Sequence, residues 1–244
     1  MAGNEAAILE ASEKAPRLNA ALAGLETAEF LRVVIKDLFP DRIALVSSFG
    51  ADSAVLLHMV AQIDKATPVL FIDTRVLFEE TLAYRDELVA HLGLEKVISI
   101  GPKPALLAAE DPENFLWASN PDRCCEIRKV LPLAEALEGY DAWITGRKRF
   151  QAQSRGELAL LESEGGRIKV NPLAHWPAVK ILDYLDAFDL PHHPLVDKGF
   201  LSIGCMPCTS PVKPGEDPRA GRWRGKAKVE CGLHTLPLFA GADI

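Results

Sequence analysis

No apolar run in this chain approaches the roughly 20 residues that span a bilayer, so no membrane contact is expected. The first residues carry Glu5, Glu10 and Glu13 where a secretory leader would be basic and then apolar, and no signal peptide is expected. Two common nucleotide fingerprints are missing: no loop ends in Gly-Lys-Ser/Thr, and Gly-x-Gly-x-x-Gly does not occur. Internal repeats and low-complexity stretches are absent as well. Basic residues are outnumbered, and the net charge of -7 argues against general nucleic-acid binding. Cysteine is scarce, at five residues. Five thiols without a leader predict a reducing, cytoplasmic setting, where free or metal-bound thiols outnumber structural disulfides.

What is present is an ordinary globular mix, 48% hydrophobic and 25% charged, enough for one large domain. Residues 1–40 read as helical and packed on a core: Leu18, Leu22 and Leu25, then Phe30, Val33, Val34 and Leu38, recur at helical spacing until Pro40-Asp41. Strand-like runs then alternate with helical patterns. Arg42–Ser47, Pro68–Ile72, Lys96–Ile100 and Ala142–Gly146 predict strands, with helices after the first two. This is the signature of an α/β, doubly wound, mostly parallel sheet over residues 41–210. Arg167–Val170 reads as an edge strand, residues 101–121 as irregular, and Val179–Phe188 as a helix.

In such sheets ligands sit beyond the carboxyl ends of the strands. Ser48-Phe49-Gly50-Ala51-Asp52-Ser53 lies there, between a strand and a helix. That layout suits a phosphate or sulfate, because backbone N–H groups and the helix dipole face outward and Gly50 allows close approach. The plainer alternative is a βα turn in which Asp52 and Ser53 only cap the helix. Asp73-Thr74-Arg75 ends the second strand. Arg147, Lys148, Arg149 and Arg155 follow the fourth, an unusual density of bases in an acidic chain. His192-His193 read as loop residues, and His58, His91 and His175 carry no spacing signal.

The thiols are arranged unevenly. Cys205-Met206-Pro207-Cys208 can turn two sulfurs toward one point, which suits a metal, a cluster or a redox disulfide. Cys124-Cys125 is the other pair, at the start of an expected helix near Asp122. Neighbours on a helix point about 100° apart, an arrangement that serves a multi-iron cluster more readily than one tetrahedral zinc. Arg128 and Lys129 put positive charge beside them; the alternative is a solvated helix face. Cys231 is left over, on a tail (211–244) whose Gly221, Gly225 and Gly232 predict mobility. It sits among Arg219, Arg222, Arg224, Lys226 and Lys228 and near His234, conditions that make a thiol nucleophilic.

Taken together these motifs resemble the adenylyl-sulfate/phosphoadenylyl-sulfate reductases, specifically the cluster-containing adenylyl-sulfate type, over residues 40–236. The set of Cys124-Cys125, Cys205-x-x-Cys208 and Glu230-Cys231-Gly232-Leu233-His234 is the most specific part. Trp143–Gly146, Asn171-Pro172-Leu173 and Arg219-Ala220-Gly221-Arg222-Trp223 add to it. The resemblance implies an adenine-nucleotide α-hydrolase-like fold and a [4Fe-4S] cluster on Cys124, Cys125, Cys205 and Cys208. It places Lys129 between cluster and substrate. Ser48, Gly50, Asp52 and Ser53 are then the nucleotide loop, and Gly146, Arg155, Arg219 and Arg222 line the adenylyl-sulfate site. Cys231 is the nucleophile, with His234 beside it. A separate thioredoxin or glutaredoxin is the implied electron donor, and a homo-oligomer is compatible with the family. Two departures stand out: the family's Asp-Thr-Gly is Asp73-Thr74-Arg75, and its Arg-Arg-Asp-Gln is Lys148-Arg149-Phe150-Gln151. The competing readings are the same reaction on phosphoadenylyl-sulfate, an ATP-pyrophosphatase suggested by the Ser48–Ser53 loop alone, and a zinc protein with a regulatory nucleotide site.

Overall fold

The computed structural model describes residues 2–151 and 156–233. Six strands form one sheet: β1 (Ile43–Ser47), β2 (Val69–Ile72), β3 (Val97–Ile100), β4 (Ala142–Ile144), β5 (Leu161–Glu164) and β6 (Arg167–Val170). Their order is β3-β2-β1-β4-β6-β5, all parallel except β5, which runs antiparallel to β6. β1 and β2 are buried on nearly every residue, as a sheet covered on both faces requires. One face carries α3 (Ser53–Ile63), α4 (Glu79–Leu92) and α9 (Ala178–Ala187), which share a core with Leu45, Phe71, Ile144 and Val170. The other carries α8 (Leu131–Ala136), whose Leu133 and Ala134 pack with Ala44, Leu70 and Trp143. Strand neighbours therefore point to opposite faces, and both faces are filled.

The N-terminal region is helical as expected, in α1 (Ala2–Ala21) and α2 (Thr27–Arg32), the latter running into a π-helical turn to Leu38. α1 lies along β5, and Asn19 both donates to the Leu161 carbonyl (2.7 Å) and accepts from its N–H (3.1 Å). It thereby covers the sheet edge that β5 would otherwise expose. The expected edge strand Arg167–Val170 is in fact internal, between β4 and β5. The true edge, β5, is joined to it by Gly165-Gly166, both with positive φ (59° and 76°), which is the requirement of a tight two-residue hairpin. Glu162 and Glu164 hid that strand, because alternating acids carry little β signal.

Residues 101–121 are largely helical rather than irregular, in α5 (Pro104–Glu110) and α6 (Leu116–Ser119). Two of their four prolines begin helices instead of breaking them: Pro104 starts α5, and Pro121 starts α7 (Pro121–Cys125). Asn120 caps α7 by accepting from the Arg123 N–H at 3.1 Å. α7 then widens into a π-helical turn, Glu126–Val130, before α8. Such turns re-aim side chains near functional sites. Here Arg128 and Lys129 are both buried, which overturns the solvated-face alternative.

The segment after α9 also departs from its reading. Gly221 is a close-approach glycine: a Cβ there would lie 2.0 Å from the Ser210 carbonyl oxygen. Arg222 bridges to Thr209, and Trp223 is buried with its N–H on the Cys208 carbonyl (3.0 Å). Residues 209–223 are thus packed onto the Cys205–Cys208 turn. Arg75, where the family favours glycine, sits at φ 64°, the left-handed region. Its side chain is 67% exposed and reaches only Asp73, at 3.3 Å. Arg75→Gly is expected to be neutral or to stabilise by up to about 1 kcal/mol, whereas Arg75→Val loses stability; urea unfolding midpoints check both.

Candidate active site

Strand order reverses between β1 and β4, so the loops that follow them diverge and leave a crevice. A cavity of about 470 Å³ opens there, large enough for a nucleotide-sized ligand. Ser48, Gly50, Asp52 and Ser53 line one side, Gly146, Arg147 and Lys148 the next. Leu56, Ile181 and Leu185 give it an apolar wall, and Arg219, Arg222 and Cys231 close the far side.

The loop after β1 is held from within. Phe49 adopts φ 48°, its ring buried edge-on against Phe71 (5.4 Å), and its N–H donates to Ser47 Oγ at 3.1 Å. Ser53 Oγ and N–H both donate to the Gly50 carbonyl, at 2.6 and 3.0 Å. A Cβ on Gly50 would stand 3.4 Å from the Ile203 carbonyl oxygen, ordinary contact, so the loop and the segment at Ile203 lie side by side here. Asp52 makes no helix-capping bond. Its carboxylate instead accepts from Lys148 Nζ at 2.9 Å, across the cavity from the loop after β4. Lys148 is 2% exposed, so this pair ties the two loops together. Sequence reasoning grouped Lys148 with the surrounding bases and missed that role; its only signal was position beyond a strand end.

Beyond β4, Thr145 Oγ1 donates to Asn171 Oδ1 (2.8 Å), and fully buried Asn171 donates to the Ala159 carbonyl and Glu162 at 2.9 Å. Asn171 therefore fixes the Thr145-Gly146 turn. Arg147 Nη1 meets Glu162 at 3.2 Å. The Nε atoms of Arg147 and Arg222 are shut off from water and lack a hydrogen-bond partner among the described residues. Buried donors of this kind carry a desolvation cost that an incoming anion removes. Phe150, where the family has an acid, is half-exposed at the cavity. His192 also lines it. His193 is buried, with ring nitrogens near Thr81 Oγ1 (3.0 Å) and the Leu195 N–H (3.2 Å). Burial lowers its pKa to about 4, so it is a neutral packing residue. Arg155 and His234 lie outside the described residues.

The four paired thiols come together at a second, smaller cavity. Cys124, Cys125, Cys205 and Cys208 all line it, with Lys129, Arg222 and Trp223. Thr74 Oγ1 is 3.2 Å from Cys205 Sγ. Arg128 braces the chamber: it donates to the Thr74 carbonyl (2.8 Å), Asp111 (2.6 Å) and Asn114 (2.8 Å). Asp111 and Asn114, on a stretch expected to be irregular, escaped sequence reasoning entirely. Burial raises the Cys124 thiol to about 12, and Cys125 to about 11; neighbouring thiols add to both shifts. Among the described residues no group of three or more His, Cys, Asp or Glu side chains surrounds a single ion position. Cys124, Cys125 and Cys205 are buried and Cys208 half-buried, so the two thiol pairs meet at one chamber.

Arg222 and Trp223 belong to both cavities and form the wall between them. The Arg222 guanidinium stacks on Trp223 (4.4 Å) and passes directly over Gly204, where a Cβ would lie 2.3 Å from Nη2. Burial works against the charge on Lys129, but Cys205, Cys231 and Cys125 outweigh it and its pKa is raised. Burial likewise works against ionising Cys231. Lys129, the Leu233 N–H and Arg222 more than offset it, and the Cys231 thiol is pulled below its ordinary value.

The phosphoadenosine phosphosulfate reductase domain model matches residues 42–211, more than half of the chain. The chain belongs to the phosphoadenosine phosphosulfate reductase family. An adenosine 5'-phosphosulfate reductase of Mesorhizobium japonicum is 54% identical over 225 residues, covering 92% of this chain and 89% of that protein. One from Chelativorans sp. is 58% identical over 198 residues, covering 81% of each. Among solved structures, the phosphoadenylyl-sulfate reductase of Candida auris in a phosphate complex superposes with TM-score 0.69 at 29% identity. That match covers 82% of this chain and 97% of the other. The Candida glabrata FMN adenylyltransferase shares the fold alone, at TM-score 0.53 and 17% identity.

Two outcomes follow for this family member. Gly204→Ala should displace Arg222 and cost activity by at least about tenfold while leaving the fold intact, since only a side chain must move; steady-state kinetics beside far-UV circular dichroism check it. Alkylation of Cys231 by iodoacetamide should proceed with a midpoint below that of an ordinary thiol. In Lys129→Gln that midpoint should rise, because the thiolate then forms only at higher pH; a pH series read by peptide mass measures both.

Proposed function

We propose that the chain reduces adenylyl-sulfate to sulfite and AMP in sulfate assimilation, through an S-sulfonate on Cys231. The observation that carries this reading is the placement of Cys231. An activated thiol closes the far end of a cavity that begins at an anion-binding loop and is lined by Arg147, Arg219 and Arg222.

The nucleotide lies with its adenosine against Leu56, Ile181 and Leu185, and its phosphate and sulfate toward the bases. The Cys231 thiolate attacks the sulfate sulfur. An S–S bond forms, the S–O bond breaks, and the electron pair leaves on AMP, a stable anion. Arg222 and Lys129 face the charge that develops, which is the most effective position for fixed cations. A thiol of a thioredoxin or glutaredoxin then attacks Cys231 Sγ and expels sulfite. Its second thiol resolves the mixed disulfide, so the donor supplies both electrons and Cys231 returns as a thiolate.

Cys124, Cys125, Cys205 and Cys208 are the residues that would hold a [4Fe-4S] cluster, with Lys129 and Arg222 offsetting its charge. When bound, it would supply a delocalised negative charge, which Lys129 and Arg222, lining the same chamber, would offset. A reducing cytoplasm suits both this thiol set and the donor. Among the described residues no helix is long and apolar enough to cross a membrane. The fold likeness to an adenylyltransferase leaves Cys231 without a task, so it does not favour an ATP-pyrophosphatase.

The test is an intact-protein mass after anaerobically purified protein meets adenylyl-sulfate without a thiol. One sulfonate adduct on Cys231 is expected, absent from Cys231→Ser. A Gloeobacter violaceus relative, 43% identical, is named a phosphoadenosine 5'-phosphosulfate reductase. The same experiment is therefore run with phosphoadenylyl-sulfate, and faster labelling by that compound would reverse the substrate assignment. Cys205→Ser is expected to lose iron, sulfide and activity together; full iron content in that variant would remove it from the ligand set.

A further inference from the structure

The bases of the tail are not all accounted for by the cavity. Arg219 and Arg222 line it, but Lys226 and Lys228 line neither it nor the thiol chamber, though their charges reach Cys208 and Cys125. Both reach across to the helices before the Cys124-Cys125 pair. Lys226 Nζ donates to the Trp117 carbonyl at 2.7 Å and lies over the Trp117 ring at 5.4 Å. Lys228 forms an ion pair with Asp122 in the first turn of α7. The Lys228 side chain is 11% exposed, although its partner Asp122 is 86% exposed. Its ammonium also lies 5.9 Å over the Trp223 ring. A surface lysine held this far from water, three residues before the nucleophile, is doing more than solvating a loop.

We propose that Lys228 is a positioning residue, which clamps the strap 224–233 to α7 through Asp122 and so sets Cys231 at the cavity. The proposal rests on the Cys231 mechanism above. Residues 224–233 contain few apolar anchors: Leu233 packs on the core beside Val130, and Val229 is exposed. The strap is therefore held mainly by polar contacts, which can open and close without disturbing the sheet. On its other side Arg219 holds the Val229 carbonyl (2.9 Å) and Glu230 (3.3 Å). Because Arg219 faces the cavity, that side changes when an anion arrives; the Lys228–Asp122 side does not. The clamp thus keeps the strap aligned while substrate contacts form. It acts on the proximity of the thiolate to sulfur, not on substrate affinity.

The experiment measures single-turnover formation of the Cys231 sulfonate by quenched intact mass, at saturating adenylyl-sulfate and without thiol. The proteins are wild type, Lys228→Glu, Asp122→Lys and the double swap. Amide hydrogen exchange over residues 224–233 is followed in parallel. Each single change should slow labelling about two- to fivefold, within the range for a partly exposed pair, with the substrate concentration for half-maximal rate unchanged within about twofold. Exchange over the strap should quicken in both singles, and the swap should recover most of both effects. Should Lys228→Glu fold poorly, Lys228→Gln and Asp122→Asn complete the same cycle, in which the two effects should not add. The clamp is overturned by singles that label at the wild-type rate, or by losses that simply multiply in the double variant. A raised half-maximal concentration with unchanged maximal labelling would instead make Lys228 a substrate-binding residue, and also overturns it. If wild type itself forms no adduct, the mechanism fails rather than the clamp.

Discussion

The buried ammonium of Lys129 is the interaction on which the rest of this site depends. Three thiols from separate parts of the chain, Cys125, Cys205 and Cys231, raise its pKa against the cost of burial. The relation is mutual, because Lys129 is also the main influence that draws Cys231 down. A cation in a water-poor position acts on nearby charges far more strongly than one at the surface. Arg128 and Lys129 both lie within the π-helical turn Glu126–Val130 that follows Cys124-Cys125, and both are buried. Arg128, fixed by Asp111, Asn114 and the Thr74 carbonyl, holds that turn in place. The division of labour between adjacent bases is thus a consequence of backbone geometry: one braces, the other polarises.

The sheet supplies the second constraint. Reversal of strand order between β1 and β4 opens a crevice without cutting into the core, since both strands remain paired below it. The Lys148–Asp52 pair then spans that crevice. It neutralises one base of the cavity; Arg147 and Arg219 are partly paired, with Glu162 and Glu230, while the Nε atoms of Arg147 and Arg222 have no hydrogen-bond partner among the described residues. The apolar wall from α3 and α9 accepts a flat, uncharged base at the other end. One cavity thereby offers graded chemistry along its length, apolar to cationic to nucleophilic, matching a ligand with an aromatic head and an anionic tail.

Much of this was legible in the sequence, for physical reasons that differ by element. β1 and β2 were readable because continuous apolar runs have few other uses in a chain of this size. The Ser48–Ser53 loop was readable because small residues at a strand-to-helix junction restrict what the backbone can do. The gathering of four thiols could be anticipated from their pairing. β5 was missed because its residues face the covering helix α1 and a hairpin turn, a tertiary circumstance that local composition does not report. Residues 101–121 were misread because proline has opposite meanings at the first turn of a helix and in its interior. The Asp52–Lys148 pair, the Arg128 brace and the Lys228 clamp escaped for a common reason. Each joins residues far apart in sequence, and charge composition alone does not say which base meets which acid.

The location of Cys231 on a strap, rather than on a strand end with the other functional groups, suits the two reactions of the proposed mechanism. Attack on a small substrate needs the sulfur inside a lined cavity; release of sulfite needs the same sulfur accessible to a second protein. A residue on a strand end meets the first demand and fails the second. The contacts that place the strap are suited to both. Packing at Trp223 and Gly221 fixes its root against the Cys205–Cys208 turn, where the overlap with Ser210 would forbid any larger residue at 221. Beyond that root, Arg219, Lys226 and Lys228 hold it by hydrogen bonds and ion pairs that water and salt can replace. The boundary between fixed and exchangeable contacts falls between Trp223 and Lys226, close to Gly225 with its φ of 79°. Of the three glycines that mark the tail, Gly221 is therefore an anchor held by close backbone approach, whereas a Cβ at Gly225 would meet nothing within 4 Å, a distinction set by the backbone that surrounds each and not by the residue itself.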